Sequence, residues 1–115
     1  MSLAGINMHT DSPSYELDPD GFLKDLSHWS EAVAHAIAQD HQLALSADHF
    51  EIIYLLRDFY HKHQVAPANR PFVKMVKLAL GAEKGNSIYL MTLFPQSPAK
   101  LAAKISGLPK PPNCF

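Results

Sequence analysis

Apolar residues recur at helical spacing along most of the chain. Trp29, Val33, Ala36 and Ile37 fall on one face of a helix expected from Ser27, a good N-cap, to about Asp40. Ser46 starts a second helix that runs to about His63. Its inner stripe of Phe50, Ile53, Leu56 and Tyr60 is widened by Ile52, Leu55 and Phe59, which predicts a central helix buried on more than one side. Asn69 can cap a third helix, with Pro71 in its first turn, Val73, Val76 and Leu80 inward, and Gly81 as the residue that ends it. Ser87 starts a short fourth helix stopped by Pro95. Ser97 and Pro98 start a fifth, with Leu101, Ala102 and Ile105 as its apolar face and Gly107 at its end.

The ends of the chain break this pattern. Residues 1–14 are small and polar and contain Pro13, so they are expected to be disordered. Tyr15-Glu16-Leu17 alternates like a strand, Asp18-Pro19-Asp20-Gly21 is a turn signal, and Phe22-Leu23 returns, which predicts a small β-hairpin. After Gly107, Leu108-Pro109-Lys110-Pro111-Pro112 favours polyproline II. A mobile arm over 108–115 could then reach roughly 20 Å from its root. The expected fold class is α+β and mostly helical: an N-terminal hairpin, a bundle of about five helices filling a domain over 15–107, and the arm.

At 115 residues, 47% of them hydrophobic, the chain is long enough for a single core. Its apolar runs are too short to span a membrane, and the first residues lack the features of a secretory signal. One cysteine excludes an intramolecular disulfide framework, so a reducing cytoplasmic setting is expected. Net charge is −1, but unevenly spread. Residues 1–69 carry three bases against ten acids, and residues 70–115 carry seven bases against one acid, Glu83. That asymmetry fits a C-terminal part facing something anionic, or two portions that neutralise each other.

The single cysteine, Cys114, follows the proline-rich stretch, outside any helix or strand. A thiolate is a good nucleophile and can accept a sulfane sulfur as a persulfide. A carrier needs its sulfur at the end of a reach, and a stiff arm loses little entropy on entering a partner's pocket. Lys110 lies four residues away, with Lys104 and Lys100 on the helix behind, and Arg70 is the single guanidinium of the basic portion. Lys104, Lys110 and Arg70 are therefore candidate supports for Cys114, the candidate nucleophile. An incidental exposed thiol is the bland alternative.

Two rival classes are weaker. A DNA-reading helix over about 70–80 would offer only Arg70, Lys74 and Lys77. His61 with His63, and His28 with His35, have the wrong spacing for one metal ion, and no Gly-rich phosphate loop is present. No metal or cofactor is expected.

The string Lys104-Ile105-Ser106-Gly107-Leu108-Pro109-Lys110-Pro111-Pro112-Asn113-Cys114-Phe115 closely resembles the C-terminus of the DsrC/TusE family of sulfur-relay proteins. Asp20-Gly21-Phe22-Leu23, Ala66-Pro67-Ala68-Asn69-Arg70, Glu83-Lys84-Gly85-Asn86-Ser87 and Leu93-Phe94-Pro95 extend the resemblance over about residues 15 to 115. Some family members carry a second cysteine eleven positions before the penultimate one; here that position is Ala103. The resemblance therefore implies a single-cysteine sulfurtransferase without dithiol chemistry. It further implies a relay in which a TusBCD-like complex donates persulfide sulfur and an MnmA-like thiouridylase with bound tRNA uses it for wobble-uridine 2-thiolation. The alternative within the family is a DsrC-like protein of sulfur metabolism with a regulatory or nucleic-acid-binding role.

Overall fold

A computed structural model describes residues 15–112, so the segment 1–14 and residues 113–115, including Cys114, lie outside the described residues. Five α-helices follow in order: α1 (Glu31–Asp40), α2 (Ala47–His63), α3 (Asn69–Leu80), α4 (Ser87–Leu93) and α5 (Pro98–Ile105).

Local hydrogen bonding sets where each begins. Asp25 accepts from the Ser27 backbone and hydroxyl, which turns Leu26–His28 into a 3-10 helix. The first α-helix therefore starts later than expected, behind Ser30, whose hydroxyl accepts from Val33 N at 3.2 Å. At α2, His49 Nδ1 accepts from Ser46 N at 3.1 Å, while its Nε2 donates to Leu93 O at 2.8 Å. The backbone donor at Nδ1 puts the ring proton on Nε2. This buried histidine thus ties the start of α2 to the end of α4. Asn86 caps α4 in place of the expected Ser87, accepting from Tyr89 N.

The expected N-terminal β-hairpin is not formed; among the described residues there is no strand or sheet, and the fold is helical rather than α+β. The turn itself exists. Asp18 Oδ1 accepts from Asp20 N and Phe22 N, and Asp18 N donates to Phe22 O. Pairing amounts to a single antiparallel bridge between Leu17 and Leu23. The return cannot lengthen, because two residues after Leu23 Asp25 commits the chain to the 3-10 turn. Phe22 and Leu23 instead drop into the helical core, at 1% and 4% exposure.

The central element is α5, not α2. It packs against α1, α2, α3 and α4. Ala99, Ala102 and Ala103 are buried along it, and such small side chains let neighbouring helices come close. The wide stripe of α2 instead leaves Leu55 and Phe59 partly exposed. Behind α3, Gly85 lies against its backbone. A Cβ there would stand 2.1 Å from Lys77 Cα, so the loop from α3 to α4 can seat itself only with glycine.

Helices α1 and α5 both end in a Schellman motif. After α1, Gln42 N donates to Gln39 O and Leu43 N to Ala38 O, with Gln42 at φ 58°. A side chain in that left-handed region is strained, and among the described residues the Gln42 side chain makes no hydrogen bond that would offset it. Gln42→Gly is expected to stabilise the protein by about 0.5–1 kcal/mol, the left-handed strain outweighing glycine's greater unfolded-state entropy. Chemical denaturation of the two proteins checks this; an unchanged or lower stability would contradict it.

Candidate functional site at the root of the arm

The arm leaves the body at the C-terminal end of α5, where helix carbonyls have no partners within the helix. Gly107 takes φ 75° and donates to Lys104 O at 3.2 Å, and Leu108 N donates to Ala103 O at 2.9 Å. Two side chains from distant elements satisfy the next carbonyls. Trp29 Nε1 donates to Ile105 O at 2.9 Å, and Arg57 donates to Ser106 O at 2.7 Å. The Arg57 guanidinium also lies 4.0 Å over the centre of the Trp29 ring, in cation–π contact. Partial burial lowers the Arg57 pKa from its ordinary value. An arginine starts so high that it stays charged under any physiological condition.

Leu108, the first residue of the expected arm, is 1% exposed and belongs to the core, and Pro111 is also buried. Lys110 reaches Asp20 at 4.0 Å. These contacts differ in weight. A half-exposed ion pair contributes about 0–1 kcal/mol, whereas burying a leucine contributes about 1.5–3 kcal/mol. The root is therefore held by Leu108 and the capped carbonyls, with Lys110 a minor tether.

Cys114, the expected nucleophile, lies outside the described residues. Two of its three expected supports come together at the Asp18–Gly21 turn. Lys110 pairs with Asp20, and Lys104 crosses Gly21 to lie 5.3 Å from the centre of the Phe22 ring. Partial burial and the neighbouring Lys100 hold the Lys104 pKa below its ordinary value, against the opposing pull of Asp20 and Asp18. Arg70 is elsewhere. It is exposed in the first turn of α3, next to Asn69, whose side chain accepts from Ala99 N at the opposite end of α5. Sequence reasoning missed Arg57, and it read Trp29 as core only. No local signal marks either, because their partners are 49 and 76 residues away. It also missed His41, whose Nε2 is 3.5 Å from Lys104 Nζ.

Ala103 is fully buried under this root. The position at which the resemblance implies a second cysteine in some family members is here a packed alanine whose carbonyl accepts from Leu108 N.

Gly107 allows no side chain. A Cβ would stand 2.5 Å from Trp29 Cδ1 and 2.9 Å from its Cγ, on a backbone with φ 75°. Gly107→Ala is expected to destabilise the protein by about 2–4 kcal/mol, from strain plus displacement of the Trp29 ring. Thermal or urea unfolding measures this; a loss under about 1 kcal/mol would show that the ring is not locked.

Comparison with known proteins places this geometry. The model of the family described as DsrC like protein matches residues 9–115. The sulfurtransferase TusE homolog of Haemophilus influenzae is 50% identical over 100 residues, 87% of this chain and 92% of that protein. Sulfurtransferase TusE of Escherichia coli strain K12 is 48% identical over the same shares. Among solved structures, the DsrC of Allochromatium vinosum superposes with a TM-score of 0.80 at 44% identity, covering 88% of this chain and 90% of that one. The oxidized gamma-subunit of the dissimilatory sulfite reductase from Archaeoglobus fulgidus gives a TM-score of 0.75 at 43% identity, covering 88% and 92%. With the family match spanning nearly the whole sequence and the same fold in its solved relatives, this chain belongs to the DsrC-like family.

Proposed function

We propose that this protein is a sulfur carrier that takes up persulfide sulfur on Cys114 and passes it on in a relay for tRNA wobble-uridine 2-thiolation. The observation that carries the reading is the roughly half identity to proteins named as sulfurtransferases, joined to a single cysteine on a proline-rich arm. The Cys114 thiolate attacks the outer sulfur of a donor persulfide. A new S–S bond forms at Cys114, the donor's S–S bond breaks, and the donor leaves as a thiolate. No net oxidant or reductant is consumed. With Ala103 in place of a second thiol, no internal disulfide competes for the persulfide.

The donor in this reading is a TusBCD-like complex, and the acceptor an MnmA-like thiouridylase with bound tRNA, in the cytoplasm. Among the described residues, no helix is long and apolar enough to cross a membrane. Lys104 and Lys110, both at the Asp18–Gly21 turn, favour the anionic sulfur and the docking of partners. Arg70 contributes to docking from the other end of α5.

Two outcomes test this. Cys114→Ser is expected to keep the melting temperature and lose sulfur uptake, read by intact mass after incubation with a cysteine desulfurase and its relay proteins. A reducible gain of one sulfur in that variant would overturn the assignment. Lys110→Glu is expected to slow uptake by wild-type Cys114, more at low salt than at high salt, because the attraction it reverses is screened. A rate unchanged across the salt series would remove Lys110 from the site.

A further inference from the structure

A cleft of about 280 Å³ opens between α5, the turn before it and the end of α1. His41, Gln96, Ser97, Lys100 and Lys104 line it. Lys100 and Lys104 are one helical turn apart, so both ammonium groups serve the same face. His41 Nε2 stands 3.5 Å from Lys104 Nζ. Among the described residues, no carboxylate lines the cleft. The acids that act on these groups lie outside it: Asp40 beside His41, and Asp18 and Asp20 beside Lys104. The Ser97 hydroxyl, at the start of α5, makes no cap bond to the helix. Like charges one turn apart cost a few tenths of a kcal/mol unless something anionic lies between them. The space is well above what a single water needs and admits an oxyanion.

We propose that this cleft is a phosphate-binding site, in which Lys100 and Lys104 supply the charge and His41 and Ser97 supply further hydrogen bonds to the oxyanion. The ligand chemistry is a phosphate group, carried either by a small phosphorylated molecule or by the backbone of an RNA. The site takes no group from the arm and does not need Cys114; Lys104 is the one residue it shares with the proposed sulfur site. His41 is its natural reporter. Partial burial and the charge of Lys104 hold the imidazole below its ordinary pKa, with Asp40 pulling the other way. An oxyanion bound between the two would favour the imidazolium and reverse that balance.

The test is an NMR pH titration of the His41 ring on the full chain. It is run in sodium chloride, in inorganic phosphate at matched ionic strength, and in chloride with a short single-stranded RNA. The expected result is a His41 midpoint higher in phosphate than in chloride by on the order of one pH unit. Lys100→Gln, with an unchanged melting temperature, is expected to lose most of that rise. A rise with inorganic phosphate alone assigns the site to small phosphorylated molecules, and a rise with the RNA as well assigns it to a nucleic-acid backbone. Equal midpoints in chloride, phosphate and RNA would overturn the proposal, as would a rise of full size in Lys100→Gln. A variant lacking residues 113–115 covers one more occupant. If its midpoint in chloride falls below that of the full chain, the cleft holds the chain's own carboxylate, and the proposal fails.

Discussion

Ile105 and Ser106 have no exposed surface, yet as the last residue of α5 and the one that follows it they present carbonyls that the helix cannot satisfy. Leaving a buried acceptor unpaired costs about 1–3 kcal/mol. The fold meets this with one donor from the segment before α1 and one from α2, the Trp29 indole and the Arg57 guanidinium, stacked on each other. Everything near the arm follows from that arrangement. Gly107 must be glycine because the indole occupies the space a side chain would need, and Leu108 must turn inward because the Schellman bond to Ala103 aims it there.

Helix α5 can be central because it is thin. Three buried alanines let four neighbouring helices approach one short helix, and the large side chains that fill the core come from around it: Ile37, Ile52 and Phe72 from those helices, Phe94 from just after α4 and Phe22 from the N-terminal turn. An alanine contributes little to a hydrophobic stripe, so periodicity points instead to the heavier α2. The error comes from reading the amount of apolar surface as a measure of centrality, when close packing depends as much on what is missing from a surface.

What was legible in the sequence was what the chain decides locally. The glycine at the end of α5, the proline at its start and the Asp18–Gly21 turn all depend on backbone rules acting over a few residues. The strand pairing was not legible, because its length is set by Asp25 capping the next element rather than by the alternation of residues 15–17. Nor were Trp29 and Arg57, which act at a site far along the chain from themselves. The candidate nucleophile, Cys114, rests on chemistry and placement in the sequence, since it lies outside the described residues. Nearness to Cys114 in sequence groups Lys104 with Lys110 but gives no sign that both lie at the Asp18–Gly21 turn, while Arg70, grouped with them by charge, stands at the other end of α5.

Trp29 is the only tryptophan in the chain. Its ring touches Arg57 on one face and meets Tyr54 edge-on, and its nitrogen is bonded to the carbonyl two residues before Gly107. The protein therefore carries a built-in optical probe at the seam between body and arm. Ultraviolet emission excited at the indole reads that seam without any label, and a partner that pulls the root away alters the polarity, the cation contact and the hydrogen bond of one chromophore together.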